Sequence, residues 1–322
     1  MFGVRRPRVS NCHVDLLALH AKKIVLPASK YDELRTKRNK VRIIIKRRLR
    51  EMGYLQPIGF RSQGSVAMRT VTSGGWYGSF DIDDGIYFHR RALIGPQGGE
   101  VSPLAARQRI WEAAYREHFT DPPEYRKNCV RVFYARGFHI DIPVYRVTTR
   151  PFGAPAIELA SSSWKPADPA GVTAWFQRAN ARSPGVFGGR QLARMVRYLK
   201  VWTRSRSAWQ GYMPSGFAIT ALAVECYKPF PERDDRALLH LLTAIFERLQ
   251  YQTAIAHPVI RGEFIVRPDK DATARCLLWG LEQALPRLGP IAEGCAREQA
   301  LARWDGFFNE DFLRRRPPVT FI

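Results

Sequence analysis

Three acids and one Gly-Ser pair are the residues of this chain best suited to chemistry. Gly64-Ser65 precedes Asp81 and Asp83 in Phe80-Asp81-Ile82-Asp83, and Asp141 follows within Phe138-His139-Ile140-Asp141-Ile142-Pro143. In an extended strand alternate side chains share a face, so Asp81 and Asp83 stand side by side with Cα atoms about 6–7 Å apart. Carboxylates that close repel unless a cation lies between them. Two divalent ions about 3.5–4 Å apart can bridge such a pair and stabilise both the attacking and the leaving oxygen of an in-line phosphoryl displacement. Mg²⁺ suits these donors, because it takes few protein carboxylates and fills its other positions with water and substrate phosphates. The set reads as a nucleoside-triphosphate site.

Asp81 and Asp83 are expected to ligate both metals. Asp141 would complete the metal site nearest the acceptor hydroxyl, lowering that hydroxyl's pKa or accepting its proton. Taken alone, Asp141 reads equally as one half of a structural salt bridge. Gly64, lacking a Cβ, lets backbone N–H groups and the Ser65 hydroxyl approach the β- and γ-phosphates. A lone Gly-Ser pair is usually an ordinary turn, and its place ahead of Asp-x-Asp is what points to phosphate. Asp84 faces the other way, toward a structural hydrogen bond or solvent. His139 shares the face of Asp141, but the seven histidines show no ligand spacing and no role is assigned to it.

The elements that must position these residues can be read from periodicity. Ser29 to Asp32 has the form of a capping box, and Leu34, Val41, Ile44, Ile45, Leu49 and Met52 then recur at helical spacing up to Gly53. A helix of about 23 residues, about 35 Å long, is expected there. Residues 54–62 read as a short strand leading into Gly64-Ser65, 73–78 as loop, and Phe80 to Phe88 as the strand of the paired acids. A helix is expected over 103–118. Val130 to Tyr134 and Phe138 to Val144 read as a hairpin around Ala135-Arg136-Gly137. From about Ala167 the pattern turns helical, over Val172–Ala179, Leu192–Trp202, Phe217–Tyr227 and Ala237–Tyr251. Tyr198, Trp202 and Tyr212 are candidates for base stacking, against the commoner use of such aromatics as core.

Composition sets the limits. The 322 residues suffice for a large core or two lobes, and a hydrophobic content of 45% speaks against disorder. No apolar run approaches a membrane span, and Met1 to Arg6 lacks the apolar stretch of a secretory signal. Five dispersed cysteines without paired spacing read as reduced structural thiols, so a cytoplasmic protein without membrane partners is expected. The formal net charge of +22 fits polyanions such as nucleic acid or nucleotides, and equally an Arg-rich solvated surface. The basic run Arg35–Arg50 falls on the helix already described, opposite its apolar stripe.

Gly-Ser, Asp-x-Asp and a third Asp on a later strand resemble the polymerase-β-type nucleotidyltransferase superfamily. Within it, the strings DIDDGIYF, GFHIDIPVY and RYLKVW…PSGFAITALAVECY are similar to the bacterial cGAS/DncV-like nucleotidyltransferases (CD-NTases), over roughly residues 30–260. The resemblance implies an α/β (α+β) bilobal fold: a mixed, mainly antiparallel sheet, a long bracing N-terminal helix and a helical C-terminal lobe. The expected division is 1–165, the catalytic lobe, and 166–322, the lobe completing the nucleotide cleft. It assigns Asp81, Asp83 and Asp141 to catalysis with two Mg²⁺ or Mn²⁺ ions. It also implies that Lys200 and Ser215 reach the donor triphosphate, as a compact counter-charge and a helix N-terminus can. The implied activity is synthesis of a cyclic oligonucleotide second messenger, a cyclic dinucleotide above all, from ATP and/or GTP in anti-phage defence, with defence-system partner proteins. The alternative is an RNA-activated or RNA-tailing nucleotidyltransferase; nucleic acid is not the favoured partner.

Overall fold

The apolar stripe read from the sequence is buried along one long helix. In the computed structural model, which describes residues 10–73, 80–115, 121–134, 138–149, 155–186 and 189–315, helix α2 spans Ala28–Glu51 and buries Leu34, Val41, Ile45 and Leu49. Its outer face carries ion pairs one turn apart, Lys30–Glu33, Lys37–Glu33 and Arg48–Glu51. The expected Ser29 cap is corrected: the N-cap is Pro27, with no side-chain cap bond. The Pro27 carbonyl accepts from Tyr31 N at 3.0 Å, so the first turn closes ahead of Ser29. At the other end Gly53 takes a positive φ of 75° and Tyr54 N reaches back to Leu49 O at 2.9 Å, a glycine-dependent helix stop.

Helix α1 (His13–Leu19) precedes α2, and the strands follow: β1 (Gly59–Ser62), a single turn α3 (Gly64–Ala67), β2 (Phe80–His89), helix α4 (Pro103–Tyr115), β3 (Glu124–Tyr125), β4 (Val130–Tyr134), β5 (Phe138–Ile142), β6 (Val144–Thr148), β7 (Ala156–Ala160) and β8 (Trp164–Pro166). They build one eight-stranded sheet with hydrogen-bonded order β3-β4-β5-β2-β6-β7-β8, and β1 also pairs with β2. The sheet is mixed and mainly antiparallel, as expected; only the pairings of β2 with β5 and β6 are parallel. β5 meets β2 at Asp83↔Asp141 and β6 meets it at Ile86↔Val144, the same offset. Ile86 N donates to Pro143 O between them, so 138–147 runs along β2 with its ladder interrupted at Ile142 and Pro143. The expected strand 138–144 is thus part of a longer run.

Helices α5 (Pro169–Ala181), α6 (Gln191–Thr203), α7 (Gly216–Cys226), α8 (Asp234–Tyr251), α9 (Ala272–Glu293) and α10 (Arg297–Phe308) follow. The chain divides into two compact units, one of residues 26–69 and 77–175, the other of 1–25, 70–76 and 176–322. The first holds the sheet, with Ile82, Ile86, Phe88, Val130, Val132, Ile140, Ile142 and Val144 as its core. The second is mainly helical, with two short two-stranded sheets. Tyr198, Trp202, Trp304 and Phe308 lie fully buried in it, with Trp202 stacked on Phe307 at 5.0 Å, so Tyr198 and Trp202 are core rather than base platforms. Tyr212 is exposed. No helix among the described residues is long and apolar enough to cross a membrane.

The expected N-terminal reading (1–6), most of the 73–78 loop, the hairpin turn 135–137 and the end of the 103–118 helix lie outside the described residues.

Candidate active site

Strand β2 is the axis of the site. Its first half pairs in parallel with β5, so Asp83 stands directly beside Asp141 on the neighbouring strand and Asp81 beside His139. Parallel neighbours lie about 4.8 Å apart, which brings the Asp83 and Asp141 positions together from sequence segments far apart. For Asp81 the backbone is described and its side chain lies outside the described part. Asp84 turns the other way. It is buried, accepts from Arg42 Nε and Nη2 at 2.6 Å each, and accepts from Ser62 Oγ at 3.0 Å. That is the structural role its alternation implies, and it ties β2 to α2.

Asp141 has a partner the sequence did not name. Arg131 faces it across the antiparallel β4–β5 ladder and donates to both carboxylate oxygens, at 2.7 and 2.8 Å. A row Arg131, Asp141, Asp83 therefore runs across three adjacent strands. Cys129, buried at the head of β4, lies beside the same acids. Burial pushes its thiol well above the usual range, and the charges of Asp141 and Asp83 push it further. The hairpin count could have revealed Arg131, since a three-residue turn at 135–137 puts 131 opposite 141. Nothing in the spacing could have revealed Cys129.

Gly64 and Ser65 open α3, the one-turn helix between β1 and β2. Gly64 has φ +59°, and a Cβ built on it would collide with the carboxylate of Asp83. Both facts require glycine, and both set the turn directly against an acid of the proposed metal pair. Gln63 N donates to Asp83 O at 2.9 Å and fixes the turn to β2. Gly64, Ser65, Asp83 and Asp141 are thus brought into one unit. Asp83 and Asp141 offer carboxylates, hard oxygen of the kind Mg²⁺ or Mn²⁺ takes. Among the described residues no group of three such side chains is assembled, and Arg131 holds both oxygens of Asp141.

Lys200 and Ser215 belong to the helical unit. Lys200, buried on α6, donates to Thr70 Oγ1 at 3.0 Å. Its Cε would lie 3.3 Å from a Cβ at Gly216, so the ammonium arm packs against the first turn of α7. Ser215 is the N-cap of α7, its Oγ accepting from Ala218 N at 3.2 Å. Ser215 therefore acts as an ordinary helix cap, and the Lys200 arm lies against the residue that follows it.

Residues 58–145, the segment holding Gly64, Ser65 and all three acids, match the family model described as cyclic GMP-AMP synthase DncV-like, nucleotidyltransferase domain. That segment is similar to a DncV-like nucleotidyltransferase domain. Among solved structures, the Vibrio cholerae DncV cyclic AMP-GMP synthase is similar over 92% of this chain and 96% of its own, with a TM-score of 0.73 and 16% identity. The 3'-deoxy GTP bound form of Escherichia coli DncV matches over 91% and 94%, with a TM-score of 0.72 and 17% identity. E. coli MS115-1 CdnC with ATP matches over 95% and 99%, with a TM-score of 0.66 and 15% identity. At such identities these likenesses show the fold. They extend it well beyond the DncV-like domain, across the helical residues that carry Lys200 and Ser215.

Proposed function

We propose that the chain is a metal-dependent nucleotidyltransferase that joins ATP and/or GTP into a cyclic oligonucleotide, a cyclic dinucleotide above all. The observation that carries this reading is the register of Asp83 against Asp141, with the Gly64 turn packed on Asp83, inside a DncV-like domain. Solved relatives of the same fold are described as a cyclic AMP-GMP synthase, one of them in complex with the linear intermediate 5' pppA(3',5')pG.

Asp81, Asp83 and Asp141 would hold two Mg²⁺ or Mn²⁺ ions, which supply charge neutralisation at the phosphates when bound. The Gly64-Ser65 turn would take the β- and γ-phosphates through its backbone N–H groups. Lys200 and Ser215 would add a cation and a helix N-terminus for the donor triphosphate. A ribose hydroxyl then attacks the α-phosphorus: an O–P bond forms, the bond to pyrophosphate breaks, and the hydroxyl proton passes to Asp141. Repetition within the linear product closes the ring. Positioning and charge stabilisation supply most of the acceleration. By this reading 1–165 is the catalytic part and 166–322 completes nucleotide binding, in a cytoplasmic protein of bacterial anti-phage signalling that works with defence-system partners.

The test is incubation of the purified protein with Mg²⁺ or Mn²⁺ and α-³²P-labelled NTPs, singly and in pairs, beside Asp81→Ala/Asp83→Ala. A phosphatase-resistant product from the wild type alone supports cyclisation. Label appearing only after RNA is added overturns it in favour of an RNA-activated or RNA-tailing enzyme, the alternative with which the net charge of +22 is compatible.

A further inference from the structure

Tyr145 lies four residues beyond Asp141, at the end of the GFHIDIPVY string, and no role has been assigned to it. It is 3% exposed, pairs with Tyr87 in the parallel β2–β6 ladder, and stacks on that ring at 4.7 Å and 18°. A buried phenol needs a hydrogen-bond partner, because a polar group left unpaired away from water is costly. Here the partner is the amide of Gln63, whose Nε2 donates to Tyr145 Oη at 2.9 Å.

Gln63 is the residue immediately before the Gly64-Ser65 turn and the N-cap of α3, although its side chain makes no cap bond. Its backbone N–H is bound to Asp83 O and its side chain to Tyr145. The space for that side chain comes from a second glycine. A Cβ at Gly85 would stand 2.7 Å from Gln63 Oε1 and 2.7 Å from Tyr145 Cε2, so ring and amide both lie on bare backbone. Gln63 Oε1 is buried and has no hydrogen-bond partner among the described residues. The Gln63 amide is held through its nitrogen end, to Tyr145. The arrangement thus spends one glycine and one unpaired oxygen to fix Gln63 between β2 and β6.

From this geometry we infer that Tyr145 is a positioning residue for the phosphate-binding turn, acting through Gln63. The inference rests on the nucleotidyltransferase reading for its consequence and on the structure alone for the contact. Tyr145 does not reach substrate. It holds the Gln63 amide, Gln63 holds the start of α3, and Gly64 is thereby kept against the Asp83 carboxylate. The hydroxyl is what matters, since the ring alone would satisfy the stack on Tyr87.

Tyr145→Phe keeps the ring and the burial and removes only the tether. One hydrogen bond of ordinary strength corresponds to about fivefold in an equilibrium. Four proteins are compared: wild type, Tyr145→Phe, Gln63→Ala and the double variant. Amide hydrogen exchange over residues 63–67 is read without ligand. NTP binding is read with a non-hydrolysable ATP or GTP analogue and Mg²⁺, and kcat and KM with the substrates. The expected result is exchange about fivefold faster in Tyr145→Phe, KM raised about fivefold with kcat less affected, and a double variant no worse than Gln63→Ala. A Tyr145→Phe protein with wild-type exchange and KM overturns the inference, as do losses that add fully in the double variant. Wild-type protein that binds no nucleotide analogue sinks the nucleotidyltransferase reading instead. The exchange comparison then still decides whether Tyr145 holds the turn.

Discussion

Arg131 and Asp141 face each other in register across β4 and β5, joined by two parallel N–H···O bonds of 2.7 and 2.8 Å. Asp83 stands in register on the other side of Asp141. One guanidinium thus offsets charge in a row that also holds two carboxylates. Of the two readings the sequence left open for Asp141, the ion pair is observed, and the register beside Asp83 supports the proposed metal role.

Removing the cation isolates the two effects. In Arg131→Met, Asp141 is left largely buried next to Asp83 with its two charged hydrogen bonds gone. Without divalent ions the variant should lose about 1.5–3 kcal/mol by urea unfolding, the usual worth of hydrogen bonds to a charged group. Mg²⁺ should recover more stability in the variant than in wild type, because a bound ion replaces the missing positive charge. Equal Mg²⁺ effects in the two proteins would mean that Asp141 holds no metal.

How much of this was legible follows from range. The α2 stripe, the β2 strand, the hairpin and α6 to α8 are local periodicities, and the chain states them. Helix α9, on which no expectation was placed, carries Pro286 and Pro290 inside it, residues that locally disfavour a helix interior. The first of the helix boundaries failed because a proline N-cap leaves no side-chain signature. At the site, residue types at strand spacing pointed to Asp83, Asp141 and Gly64, while the contacts of Arg42 with Asp84 and of Gln63 with Tyr145 join segments 42 and 82 residues apart. Only the fold brings those together.

Gly64→Ala is predicted to damage the site more than the fold. The left-handed backbone at φ +59° costs an alanine about 1–2 kcal/mol. Beyond that, its Cβ collides with the Asp83 carboxylate and must displace it. Thermal melting should therefore show a modest loss, and labelled-NTP turnover should fall at least tenfold, since misplacement by about 1 Å can cost 100-fold. A variant with wild-type turnover would remove Gly64 from the site.

His20 supplies a pH dependence within the helical unit. It is buried, and its Nε2 lies 3.3 Å from Arg197 Nη1, a contact that only a neutral ring accepts. Burial, then the charges of Arg197 and Arg194, hold its pKa down to about 3. In the unfolded chain the ring protonates near 6.5. Between those values the unfolded state binds the extra proton, so this contribution to stability is intact above pH 6.5 and declines as pH falls toward 3. The slope is at most about 1.4 kcal/mol per pH unit. His20→Phe keeps a ring against Tyr198 and should flatten the decline between pH 6 and 4.5, read by urea midpoints across that range. An unchanged slope would assign the acid sensitivity elsewhere.

Ser215 allows capping to be separated from nucleotide binding. Its Oγ accepts from Ala218 N, so Ser215→Ala should cost about 1 kcal/mol of stability, whereas Ser215→Gly should cost only a few tenths, glycine being tolerated at an N-cap. Both variants remove the hydroxyl. If Ser215 acts only as a cap, Ser215→Gly should match wild type in melting and in KM. If the hydroxyl also reaches the donor triphosphate, as its place beside the Lys200 arm supports, Ser215→Gly should melt near wild type and still show KM raised about fivefold, the worth of one hydrogen bond. Lys200→Met provides the scale for that comparison. A cation lost from the first turn of α7 should raise KM further than a lost hydroxyl, and kinetics of the two variants at one Mg²⁺ concentration will order them. The reverse order would place the triphosphate away from α7.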